Sequence, residues 1–162
     1  VTAADGAPIF ARVRADLQLG TRFGPGRTVL ATAGISHVRS VQELTDAAFT
    51  ASLAWYAPRG FIVESGLRAN TSWPGRIRTA RMSGAITHMG PQRSFSVRAI
   101  GGEEGWQILS AQTALVRFAS QEVSLAWRER FGARWSSALQ LDYYDNPTYT
   151  RSGVSVGLAR SW

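Results

Sequence analysis

The sequence predicts an all-β fold, a closed antiparallel up-and-down β-barrel of about ten strands, with eight or twelve as alternatives. Two observations carry this. Polar and apolar residues alternate with a period of two, as in Arg12-Val13-Arg14-Ala15-Asp16-Leu17-Gln18-Leu19, again over Ser94–Ala99, Glu122–Arg128 and Trp135–Tyr143. That is the pattern of a strand with one apolar face. Turn signals then recur at short intervals: Gly24-Pro25-Gly26, Pro58-Arg59-Gly60, Trp73-Pro74-Gly75, Gly90-Pro91, Glu104-Gly105, Ala119-Ser120-Gln121, Gly132-Ala133 and Asp145-Asn146-Pro147. With a loop around Ser40–Leu44, they divide the chain into strands near 8–20, 27–38, 45–56, 61–70, 77–89, 93–103, 106–118, 121–131, 134–144 and 149–162. Connections this short join neighbouring strands as hairpins. Residues 1–7 read as a lead-in and 8–162 as one barrel domain.

Composition narrows the function classes. All 18 basic residues are Arg, against 11 acids, for a net charge of +7. Cysteine is absent, which excludes disulfide scaffolds, thiol catalysis and Cys-ligated zinc. Charged residues make up 18%, below the roughly 25% of an ordinary soluble domain. The longest uncharged stretches, Ala47–Pro58 and Gly105–Val116, are too short for a spanning helix. No signal peptide is visible, and Val1 is not a start Met.

Alternation alone leaves open which face is wet. Strands of 10–13 residues are long enough to cross a bilayer at a tilt. Aromatic residues gather near strand ends, where amphipathic rings sit at the headgroup level. Trp55, Tyr56, Trp73, Trp106, Trp135, Tyr143, Tyr144 and Trp162 are the expected girdle. The polar face mixes small residues with charges of both signs, as a narrow lumen needs, because desolvated Arg must be paired. The expected lumenal charges are Arg12, Arg14, Asp16, Asp46, Glu64, Arg68, Arg81, Arg98, Glu122, Arg128, Arg130 and Asp142. The competing soluble barrel would instead turn Val13, Leu17, Val97, Leu125 and Leu139 inward.

The last strand, Tyr149-Thr150-Arg151-Ser152-Gly153-Val154-Ser155-Val156-Gly157-Leu158-Ala159-Arg160-Ser161-Trp162, alternates and closes on an aromatic residue. It resembles the terminal signature of bacterial outer-membrane β-barrel proteins, with Arg160 departing from the usual apolar residue. The short-turned, Arg- and Trp-rich strands are also faintly similar to the barrels of exopolysaccharide-secretion outer-membrane proteins. Their periplasmic helical repeats have no counterpart in this sequence. The resemblance implies an outer-membrane location and a structural, anchoring or narrow-pore role in an envelope assembly, with a link to polysaccharide export. On the ten-strand division, Arg22, Arg27, Arg59, Arg93, Arg117 and Arg151 fall in outward loops. That rim would contact lipopolysaccharide phosphates, since Arg binds phosphate bidentately. The expected partners are outer-membrane lipid, lipopolysaccharide and other envelope proteins, not nucleic acid.

Catalytic signals are weak. His37 and His88 are the only histidines, and neither is followed two residues later by the Ser that lipid A deacylases carry. No metal-ligand spacing or phosphate-cradling Gly loop is present. The expectation is a non-enzymatic protein without cofactor or metal. A lipid-modifying enzyme or a soluble ligand-binding barrel are the alternatives.

Overall fold

The computed structural model describes residues 2–3, 11–40, 44–73, 75–108 and 114–160. They form one antiparallel sheet in which every strand pairs with its sequence neighbours. The strands are β1 (Thr2–Ala3), β2 (Ala11–Phe23), β3 (Val29–Ser40), β4 (Thr45–Ala57), β5 (Phe61–Trp73), β6 (Ile77–Met89), β7 (Arg93–Ile108), β8 (Ala114–Phe131), β9 (Trp135–Asp145) and β10 (Thr150–Arg160). The connections therefore gather at two ends. End I carries those at 24–28, 58–60, 90–92 and 132–134, and end II those at 41–44, 74–76, 109–113 and 146–149.

Residues directly opposite one another in an antiparallel pair share a face. The register runs Leu17↔Ile35, Ile35↔Phe49, Phe49↔Ala69 and Leu67↔Met82 on one face. Val97↔Leu125 and Leu125↔Leu141 continue it, and Leu139↔Val156 completes it on the last strand. These side chains are largely exposed, Leu17 at 57% and Val156 at 79%. The other face holds Ala48, Ala85, Ser120 and Tyr144, all buried. Apolar side chains thus share one face and the mixed polar residues the other, inner one, as in a membrane barrel and opposite to a soluble one. Val13, Leu17, Val97, Leu125 and Leu139 all belong to the outward face.

Two sequence expectations are corrected. Residues 93–131 form one long hairpin, not three strands: Arg93 pairs with Glu129 and Ile108 with Ala114 in unbroken register. The Gly101–Gly105 run is a bend within β7, and Ala119–Gln121 lies inside β8. Nothing in Ala-Ser-Gln enforces a turn, and Gly inside a strand often marks a bend or close approach rather than its end. Among the described residues the sheet therefore has nine long strands and the two-residue β1.

The second correction concerns closure. Among the described residues β10 pairs only with β9, and β2 only with β3 and β1. With an odd number of long strands, β2 and β10 run in the same direction, so they cannot join in an all-antiparallel ladder. β1 pairs Thr2 with Arg14 and Ala3 with Val13, and is antiparallel to β2. It occupies the first two positions of the one slot between them.

Turn chemistry is local. Gly24, Gly26, Gly60, Gly75 and Gly132 take positive φ, and so do the neighbouring Arg27, Arg59 and Arg76. Gly60 is irreplaceable for a further reason: a Cβ there would run into the Met89 carbonyl oxygen.

A charged lumen as the candidate functional site

The long hairpin shapes end II. β6 follows β7 only as far as Arg81↔Gly102, and β9 follows β8 only from Asp145↔Gln121. Residues 103–108 and 114–120 run beyond the paired part of both neighbours. At Gly102 (φ 140°) the strand turns so close to β6 that a Cβ would collide with the Ala80 carbonyl oxygen. Beyond it, a Cβ on Gly105 would touch the methyl groups of Ile77 and Thr79 at 3.5 Å. Both are inward-facing, so the hairpin leans over the lumen.

This lean delivers Glu104 to its partners. Arg81 Nη1 lies 2.8 Å from Glu104 Oε1. Ser120 Oγ donates to the same oxygen at 2.8 Å, and Tyr144 OH donates to Oε2 at 3.2 Å. Asn146 Nδ2 donates to Tyr144 OH at 3.1 Å, while its own Oδ1 accepts from the Thr148 and Tyr149 amides at 2.8 Å each. The cluster ties β6, β7, β8, β9 and the 146–149 connection to a single carboxylate. Glu104 is 16% exposed and Arg81 26%, so the pair is well shielded and each charge needs the other. Arg81 also lies 3.9 Å from Glu122. A cavity of about 300 Å³ lies beside the cluster, lined by Arg68, Asn70, Ser72, Thr79, Arg81 and Glu104 among others.

The twelve expected lumenal charges separate on inspection. Among the described residues, two ion pairs link members of the set: Arg81 to Glu122, and Arg14 Nε to Asp16 Oδ2 at 2.7 Å, the latter exposed near the sheet edge. Arg68 donates to Asn70 Oδ1 at 3.0 Å and stands directly across from Arg81. Asp142 accepts two bonds from Gln140 Nε2 at 2.9 and 3.0 Å. Asp46, Glu64, Arg98, Arg128 and Arg130 lie on the same inward face, away from these pairs. The Arg12 side chain falls outside the described residues. Glu104, Ser120, Tyr144 and Asn146 were not legible as lumenal. The available signal was parity: Glu104 is an even step from Arg98 along β7.

The same parity sorts the expected girdle. Trp55, Trp73, Trp135 and Tyr143 face outward near strand ends, joined there by Phe23, Phe61 and Phe131. Tyr56 and Tyr144 face inward, because adjacent residues on a strand point to opposite faces. Arg22 stacks over the Tyr56 ring at 5.6 Å. Trp162 and the Trp106 side chain lie outside the described residues.

The expected arginine rim is divided between the two ends. Merging three strands into one hairpin reverses the sides of everything after residue 108. Arg22, Arg27, Arg59 and Arg93 remain together at end I, and Arg130, Arg134 and Arg160 join them. The only acid within three residues of those connections is Glu129. Arg117 and Arg151 lie at end II, Arg117 3.5 Å from Glu103 and Arg151 over the Tyr144 ring at 5.6 Å.

Both histidines lie on the outward face, His88 against Phe61 with centroids 4.6 Å apart. Among the described residues neither has a hydrogen bond to a Ser or an acid, and no three His, Asp or Glu gather as a metal site. No helix of the described residues is long and apolar enough to cross a membrane; the long elements are strands.

A family model described as the YaiO membrane beta barrel domain matches residues 1–112, more than half of the chain. The chain belongs to this family. It is accordingly an outer-membrane β-barrel protein of bacteria. In YaiO terms the matched region runs from β1 through β7, and the same meander continues through β8, β9 and β10. No curated protein and no solved structure matches the chain.

Proposed function

We propose that this barrel is a non-enzymatic envelope component whose narrow, charged lumen serves a structural, anchoring or narrow-pore role. The observation that carries this reading is the Glu104 cluster, which holds the long hairpin across the inward face at end II. A transport lumen for a polysaccharide would be open and lined with aromatic rings. Charges on the inward face favour an accessory part in polysaccharide export over the conduit itself.

The arginines of end I suit contact with lipid phosphate. Turns as short as 58–60, 90–92 and 132–134 are characteristic of the periplasmic side of such barrels. That orientation replaces lipopolysaccharide with inner-leaflet phospholipid as the phosphate that end I meets, and leaves the projecting hairpin outside.

Reconstitution of the full chain into planar bilayers tests the role. The expected result is little steady conductance, rising when Glu104→Gln releases the hairpin. A large constant conductance from the unaltered protein would overturn the narrow-lumen reading. Release of fatty acid from lipid A or phospholipid would overturn the non-enzymatic one.

A further inference from the structure

The mouth of the lumen at end I has the opposite character to the Glu104 cluster. Arg128 and Arg130 lie two residues apart on β8, so both project to the inward face. Their cross-strand partners there are small: Ser94 and Ala138 opposite Arg128, and Ser136 opposite Arg130. Together with the backbone around Gly157, and with Arg93 and Glu129 at the rim, they line an open cavity of about 580 Å³.

On the strands nearest them, no inward carboxylate lies beside these guanidinium groups. Glu122 is six residues back along β8, about 20 Å at the rise of a strand. Asp142 on β9 pairs with Ser124, four residues or about 13 Å away. β6 and β10 contain no acid at all. The neighbouring Glu129 is on the outward face, directly across from Arg93. Among the described residues the Arg128 and Arg130 side chains have no hydrogen bond or ion pair; the Arg130 amide donates to the Gln92 carbonyl at 2.6 Å. Two like charges side by side on one strand face, without a counterion, repel each other.

We propose that Arg128 and Arg130 form an oxyanion-binding site at the lumenal mouth. It takes a phosphate or carboxylate group bound bidentately by the two guanidinium forks, with the Ser94 and Ser136 hydroxyls as further donors. The inward placement selects an anion that enters the lumen from solution rather than a headgroup held in the leaflet. This rests on the charged-lumen reading above.

The test is calorimetric titration of inorganic phosphate into the full chain in neutral detergent, at low chloride. Saturable one-to-one binding is expected, weakened about tenfold by Arg128→Gln or Arg130→Gln, since each removes a charge-assisted bond. Arg27→Gln and Arg59→Gln, on turns at the same end, are expected to leave it unchanged. Equal losses from all four variants, or no saturable binding, would overturn the site. Displacement of phosphate by phosphatidylglycerol added to the micelles would reassign the same oxyanion chemistry to a lipid headgroup; its absence supports the soluble anion. A mobility shift on boiling retained in every variant shows that the barrel itself stands, which separates failure of the site from failure of the lumen.

Discussion

The two ends of this barrel treat inward-facing charge in opposite ways: the end II pair is shielded and compensated, whereas Arg128 and Arg130 at end I are exposed. At end II, Arg81 meets Glu104, and Glu104 is shared with Ser120 and Tyr144. At end I, Arg128 and Arg130 stand among Ser, Ala and Gly with no acid directly opposite them on β7 or β9. A compensated cluster is sensitive to losing one member, because the remaining charge is then stranded. An uncompensated pair gains or loses little in folding when one charge is removed. Stability is concentrated at one end and unused binding capacity at the other.

Glu104→Ala would break the contrast most directly. It strands Arg81 and should lower unfolding stability in urea-titrated micelles by about 3 kcal/mol. Gly102→Val should follow at about 2 kcal/mol, since a β-branched side chain meets the Ala80 carbonyl oxygen and must push β7 off β6. Its signature is a slower or incomplete mobility shift on a heat-modifiability gel. Tyr144→Phe removes one of the bonds to Glu104 and the acceptor of Asn146, and should cost about 1 kcal/mol in the same titration. Arg130→Gln should leave the urea midpoint unchanged or raise it slightly. A loss there as large as that from Glu104→Ala would erase the distinction between the ends.

How far the sequence reached depends on what a period of two can specify. Alternation along Arg12–Leu19 and Glu122–Arg128 identified strands and one apolar face, and the resemblance of the final strand pointed to an outer-membrane barrel. Which residues share a face also follows from parity, so Arg81, Glu122, Arg128 and Arg130 were legible as lumenal. The failures came where composition competed with register. Gly101-Gly102-Glu103-Glu104-Gly105 has turn composition but is a strand bent onto its neighbour, a tertiary effect of the Ala80 approach. Mistaking it for a turn changed the parity of every later connection and scattered the arginines of end I. Tyr56 and Tyr144 look like girdle residues in composition alone, yet each follows another aromatic directly and must face the other way.

The open slot between β2 and β10 has a mechanical consequence. All the long neighbouring strands are tied in pairs by connections of five residues or fewer, whereas β2 and β10 share only the slot that β1 begins to fill. Sideways tension on the wall would concentrate at that seam, like load on the one unstitched edge of a sleeve. Any lateral widening of this barrel would start beside Val154, Val156 and Leu158, at the far side of the sheet from the β5–β6 hairpin.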